Sequence, residues 1–252
     1  LYIHFAQNYF EMHQIPLEDL FLLDIETVSS VPDFNLLNDE WKELWTEKIS
    51  KSLPPDVTAG EYYPKRAAIL AEFAKVICIS TGYFKKENNE WQLRIKSFYS
   101  ENERDVLDGF IKTIQQFQTR NSKWIFCGHN IKEFDFPFLC RRMIVNNFVI
   151  PSFIDFQNMK PWETPILDTL HLWRFGDYKH YTSLKLLSVT LGIPSPKDDI
   201  DGSKVGEVYW LEKDLNRIVV YCEKDVVTVG NVILRFRNLP LLTNKQIIIV
   251  NQ

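Results

Sequence analysis

The sequence predicts an α/β fold, a mixed sheet flanked by helices with a helical C-terminal part. Three observations predict it. Short apolar runs of strand length fall in the first half of the chain, at 20–26, 75–82, 91–95 and 123–127. Between them lie stretches with helical spacing, as at 102–118, where Val106, Phe110, Ile114 and Phe117 share a face. Beyond Leu184 the pattern is helical. Strands first and mostly helices later place the sheet early and a helical layer at the end.

The elements follow in order. Residues 1–19 read as a leader closing on Ile15-Pro16, and one domain spans 20–240 with an insert at about 28–60; 241–252 read as a C-terminal tail. The first strand covers 20–26. In the insert, Pro32, Pro54 and Pro55 bracket a helix near 39–51, and a second helix covers 61–73. Residues 75–82 form a buried strand, 86–90 a turn, and 91 onward a paired strand. The helix at 102–118 leads to a short buried strand at 123–127, ending at Gly128. A helix from Phe136 to about Asn147 carries Pro137 in its first turn, where a missing N–H costs nothing. Residues 165–168 form a last short strand entering a helix. After breaks at 192–196 and 198–202, a long helix spans 212–237.

Composition limits the function. At 252 residues, with 45% hydrophobic and 14% aromatic side chains, the chain can build one large core. Only 9 glycines, with no G-x-G-x-x-G or G-x-x-x-x-G-K, exclude the usual glycine-rich nucleotide loops. The net charge of −4 means that any nucleic-acid contact must rest on local patches or bound metal. Cys78, Cys127, Cys140 and Cys222 lie in apolar runs without C-x-x-C, the pattern of buried free thiols in a reducing compartment, so a cytoplasmic location is expected. No run reads as a membrane span or a signal peptide, and no membrane partner is expected. The chain opens without Met.

The chemistry begins at Phe21-Leu22-Leu23-Asp24-Ile25-Glu26-Thr27. On a strand, Asp24 and Glu26 share one face and Ile25 points to the other. Two neighbouring carboxylates on a buried strand repel each other and resist desolvation, and a divalent cation between them resolves both costs. A strand end with two solvated acids is the plain alternative. Asp135, in Asn130-Ile131-Lys132-Glu133-Phe134-Asp135, precedes a helix and also reads as its N-cap. Tyr221 and Asp225 stand four apart on the last helix, on the flank of its apolar stripe.

Together these residues resemble the three motifs of the DEDD superfamily of 3′–5′ exonucleases: an acidic pair on a first strand, N-x-x-x-F-D before a mid-chain helix, and Y-x-x-x-D on a late helix. Tyr221, with Val220 and no His beside it, resembles the tyrosine subgroup, which includes the proofreading domains of DNA polymerases. Leu167-Asp168-Thr169-Leu170, 184–192, 201–205 and 221–227 look like a stand-alone bacterial group similar to the family B polymerase exonuclease domain. The resemblance covers most of 20–237. It implies a ribonuclease H-like sheet and a nuclease domain standing on its own.

It also implies two-metal phosphodiester hydrolysis with two Mg²⁺ or Mn²⁺ about 3.5–4 Å apart. Asp24 would bridge both ions, Glu26 and Asp225 would complete the site of the ion carrying the attacking water, and Asp135 would hold the second. Tyr221 would orient the water rather than deprotonate it, since a phenol titrates near about 10. The implied substrate is DNA with a single-stranded 3′ end, releasing nucleoside 5′-monophosphates; an exoribonuclease or an inactive nucleic-acid-binding module on the same fold are the alternatives. Substrate contacts are expected from Thr27, Val28, Asn130 and Phe134. The aromatic and basic stretch 171–181 adds Lys179 and His180, with Trp173 and Phe175 read as packing. Asp168 is expected to cap the following helix, the acidic loop 198–201 to lead to a Ser203 cap, and Arg141 and Arg142 to meet solvent, helix dipole or DNA.

Overall fold

The computed structural model describes residues 15–160, 163–194 and 200–250. Strand β1 (Leu20–Ser29) lies at the middle of a six-stranded sheet of order β5-β4-β1-β2-β3-β6. It pairs antiparallel with β2 (Ala74–Glu87) and parallel with β4 (Ile125–Gly128). β2 continues into β3 (Glu90–Tyr99) through Asn88-Asn89, both at positive φ, the two-residue turn whose twist matches a hairpin. β5 (Ile166–Asp168) extends the sheet beyond β4. β6 (Ile247–Ile249) adds to β3 in parallel, so the stretch read as a tail contributes an edge strand.

Alternation along β1 divides the core. Phe21, Leu23 and Ile25 pack with α3 (Glu103–Arg120) and α4 (Asp135–Val145), through Val106, Phe110, Phe136, Phe138 and Leu139. Leu20 and Leu22 face α8 (Leu215–Phe236), through Val226, Val229 and Ile233. That opposite face is the one on which Asp24 and Glu26 follow. α8 sits close: a Cβ on Gly82 would lie 2.7 Å from Val226 Cγ1. A hydrogen at that position is what brings the helix down onto β1 and β2.

The insert is a folded unit. α1 (Asp39–Ile49) is capped by Asn38 and α2 (Ala59–Arg66) by a Thr58/Glu61 capping box. Trp45, Ile49, Tyr63 and Phe73 form a core of their own. The second helix stops at Arg66 rather than running to 73. Pro64 removes one of its donors, and the chain leaves through a 3-10 turn at Ala67–Ile69.

Short helices α5 (Thr169–Arg174), α6 (Leu184–Thr190) and α7 (Val205–Glu207) precede a π turn at Val208–Glu212. Lys213 then takes a left-handed conformation and Asp214 caps α8, so the long helix begins at Leu215 and not at 212. Among the described residues no helix is long and apolar enough to cross a membrane.

Arg142 meets neither solvent nor DNA. It is buried, its guanidinium donates from Nε and Nη2 to Glu103 at 2.8 and 2.5 Å, and its Nη1 donates to the Ala71 carbonyl at 2.8 Å. Glu103 also accepts from Val76 N–H and from Asn146. This network ties α3, α4 and β2 together. Removing one partner leaves a buried charge uncompensated, so Arg142→Ala is expected to lower unfolding free energy by about 3–5 kcal/mol, read from urea denaturation followed by circular dichroism.

Candidate active site

Asp24, Asp135, Tyr221 and Asp225 line one cavity of about 360 Å³, with Ile25, Asn130 and Phe134 beside them. Their convergence begins where β4 stops. β4 pairs with β1 only as far as Leu22↔Cys127, then turns away at Gly128. A Cβ on Gly128 would lie 2.8 Å from Ile131 Cβ and 2.9 Å from the Leu23 carbonyl oxygen, so only glycine lets the chain turn this close to β1. The exposed edge of β1 is then satisfied by a side chain: Ile25 N–H donates to Asp135 Oδ1 at 3.2 Å. Asp135 is therefore not the N-cap. It is the first residue of α4, Phe134 holds the cap position without a side-chain bond, and the Asp135 carboxylate is pinned to β1.

The turn is held from below by Asp168, which caps α5 through Leu170 N–H at 2.9 Å and His171 N–H at 3.4 Å. It also accepts from Asn130 and Lys132 N–H, each at 3.0 Å. Asn130 adopts φ 60° there, and at the cavity wall its buried Oδ1 has no hydrogen-bond partner among the described residues.

Glu26 lies deeper. It is 8% exposed, opposite Cys78 in the register, just before a bulge between Glu26 and Thr27. Its carboxylate has no hydrogen bond or ion pair among the described residues. Oxygens of Asp24 and Glu26 and the Cys222 sulfur all lie within 4.8 Å of one another. The Cys222 thiol donates to Asp24 Oδ2 at 3.2 Å.

Electrostatics explain what this arrangement wants. Burial first, then Asp225, Asp135 and Glu26, push the Asp24 carboxyl well above the usual range. Burial, then Asp225, Cys78 and Asp135, do the same to Glu26. Burial raises Asp135 to about 7, against the pull of its own N–H and that of Ile25. Tyr221 is raised by burial, by Asp225, Glu26 and Asp24, and by its hydrogen bond to Asp225, so it stays a neutral phenol. Lys185 is the one lysine or arginine among the described residues lining the cavity. A buried, mutually repelling set of carboxylates, with Glu26 unpartnered among the described residues, fits divalent cations.

The other expected residues divide. Thr27 and Val28 are away from the cavity lining: the Thr27 hydroxyl donates to the Ala68 carbonyl at 2.7 Å, and Val28 is fully buried against Ile77 and Val208. The bulge after Glu26 is where the chain's register changes before them. Lys179 and His180 are exposed and also outside the lining, with His180 3.6 Å from Asp177. From the same stretch, His171 and Tyr178 line a separate apolar groove of about 670 Å³, and Trp173 stacks on Phe236. Phe175 is 93% exposed rather than packed, at the left-handed end of α5.

Tyr181, the last residue of the aromatic stretch 171–181, lines the acidic cavity, while sequence reasoning missed Lys185 and His129, which line it too. His129 Nε2 donates to the Thr182 carbonyl at 2.8 Å, and its Nδ1 lies 2.9 Å from the Thr169 hydroxyl. This strap brings Tyr181 and Lys185 to the site, and the G-H-N run was its only trace in the sequence. In the acidic loop, Asp198 and Asp199 lie outside the described residues. Ser203 does not cap a helix but donates to Asp201, while Lys204 holds the cap position of α7.

A family of predicted 3′–5′ exonucleases related to the exonuclease domain of PolB matches residues 69–245. The match includes Asp135, Tyr221 and Asp225 and begins after β1. Among solved structures, the family B DNA polymerase from the hyperthermophilic archaeon Pyrobaculum calidifontis is similar in fold, with a TM-score of 0.53 and 15% identity over 86% of this chain. This chain spans 24% of that polymerase. No curated protein matches.

A pH dependence follows from the raised carboxyls. They bind more protons folded than unfolded, so stability without metal falls as pH rises from the ordinary carboxylate range, about 4, toward about 7, the Asp135 value. Mn²⁺ competes with those protons. Its stabilisation, measured as a shift in melting temperature, is expected to be larger at pH 8 than at pH 5; equal shifts would contradict a cation held by these acids.

Proposed function

The chain belongs to the family of predicted 3′–5′ exonucleases related to the exonuclease domain of PolB, and from that membership we propose that it removes nucleotides from single-stranded or overhanging 3′ ends of DNA in the cytoplasm. The observation that carries this reading is the convergence of Asp24, Asp135, Asp225 and Tyr221 on one cavity, with Glu26 behind Asp24. That donor set supports a two-metal hydrolase reading of the tyrosine subgroup. Asp24 would bridge two Mg²⁺ or Mn²⁺ ions, Glu26 and Asp225 would complete one site, and Asp135 the other. Such ions, when bound, neutralise the phosphate and make water nucleophilic at neutral pH.

The chain's own groups do the positioning. Tyr221, neutral and hydrogen-bonded to Asp225, is placed to orient the attacking water and is too weak a base to deprotonate it. The unpaired Asn130 Oδ1 accepts a hydrogen bond from the terminal nucleotide, and Phe134 and Tyr181 offer it aromatic faces. Lys185, in the same cavity lining, meets a backbone phosphate. The hydrogen bond from Ile25 N–H keeps the Asp135 carboxylate aimed during turnover. Hydrolysis leaves a nucleoside 5′-monophosphate.

A 5′-labelled single-stranded oligonucleotide incubated with Mg²⁺ or Mn²⁺ is expected to shorten stepwise from its 3′ end, and Asp24→Ala to abolish the ladder. No shortening with either ion, with tight binding retained, would point instead to a binding module; faster cleavage of a matched RNA strand would overturn the DNA assignment. Tyr221→Phe is expected to lower kcat about 10–100-fold with little change in KM, the usual cost of losing a group that orients a metal-site ligand. Lys185→Ala is expected to raise KM and flatten the salt dependence of kcat/KM.

A further inference from the structure

We propose that Cys222 makes this a mixed oxygen–sulfur site, in which a thiophilic divalent cation such as Zn²⁺ is held by the Asp24 and Glu26 carboxylates and the Cys222 sulfur and blocks the harder ion that hydrolysis needs. The inference rests on the nuclease reading only for its consequence; the binding itself rests on geometry.

Three donor atoms, one each from Asp24, Glu26 and Cys222, lie within 4.8 Å of one another, close enough for one ion to reach all three. Glu26 is the independent pointer. It is more than nine-tenths buried, its carboxylate has no partner among the described residues, and it is one of the three converging donors. Cys222 is completely buried, and its sulfur already touches Asp24 Oδ2 at 3.2 Å and the Asp24 carbonyl at 3.5 Å. A second thiol stands by. Cys78, opposite Glu26 on β2, is within hydrogen-bonding reach of Cys222.

The helix places the sulfur. Cys222 and Asp225 are three apart on α8 and share a face toward β1, while Tyr221 and Asp225 reach the cavity. Oxygen donors suit Mg²⁺ and Mn²⁺, whereas a thiolate favours Zn²⁺ and Co²⁺. When such an ion binds, the Cys222 S–H bond is replaced by a metal–sulfur bond and the proton leaves to solvent. Asp24 is then committed to the wrong cation. No oxidant or reductant is involved.

The test uses Co²⁺ as a spectroscopic probe on the full chain freed of metal. Binding is expected to produce a thiolate-to-cobalt charge-transfer band in the near ultraviolet, which Zn²⁺ removes by displacement. In Cys222→Ser the band is expected to vanish, and Zn²⁺ affinity to fall at least about tenfold more than Mg²⁺ affinity in the same protein. Absence of the band in the unmodified protein overturns the proposal without needing any variant to fold. Survival of the band in Cys222→Ser with loss in Cys78→Ser, or equal losses of Zn²⁺ and Mg²⁺ affinity, also overturns it; in the latter case the thiol merely holds Asp24. Nuclease activity with Mg²⁺ is read separately, so a chain that binds Co²⁺ through sulfur but cleaves nothing refutes the nuclease reading and leaves this site standing.

Discussion

The mutual repulsion of Asp24, Glu26, Asp135 and Asp225 is the constraint on which the rest of the structure depends. Each raises the energy of ionising at least one other, and burial adds to it. A fold with no use for these acids would turn them to solvent. Here β1 is kept central, flanked by β2 and β4, so that its acids cannot escape. Such a site calls for something positive, and among the described residues Lys185 is the one lysine or arginine lining the cavity.

The surrounding architecture holds this unfavourable arrangement still. Early departure of β4 at Gly128 frees the Ile25 N–H, and that donor fixes Asp135. Asp168, with four backbone N–H groups on its carboxylate, fixes the loop leading to Asp135. Close contact between Gly82 and Val226 seats α8, and with it Tyr221, Cys222 and Asp225. Behind Tyr221, the π turn packs Val208 and Tyr209 onto Val28 and Ile218. Val28, expected at the substrate, is spent on that support instead.

Most of the strands and long helices were legible because their signals are local: alternation in 20–26, helical spacing in 102–118, the Asn-Asn turn at the hairpin. Ambiguities and errors fell where a local signal has two outcomes. An aspartate before a helix caps it or points elsewhere, and only the open edge of β1 decided for Asp135. Arg141-Arg142 looks like a solvated pair, yet Arg142 finds Glu103 thirty-nine residues away. The apolar end of the chain reads as a tail until β3 offers it an edge. Tyr181 was legible only as the end of an aromatic stretch and Lys185 carried no motif; the His129–Thr182 bond holds the chain between them.

The sequence by itself determined the α/β class, the acidic pair on one strand face and the i, i+4 pairing of Tyr221 with Asp225, because each follows from the repeat of a single element. The tertiary structure alone decided that Asp24, Asp135, Tyr221 and Asp225 meet in one cavity, that Glu26 lies close to Asp24 with no partner among the described residues, and that Cys222, 198 residues from Asp24, places its sulfur on that carboxylate. Those outcomes depend on how separate elements approach one another, and that is set by packing at a few close contacts that no stretch of sequence contains.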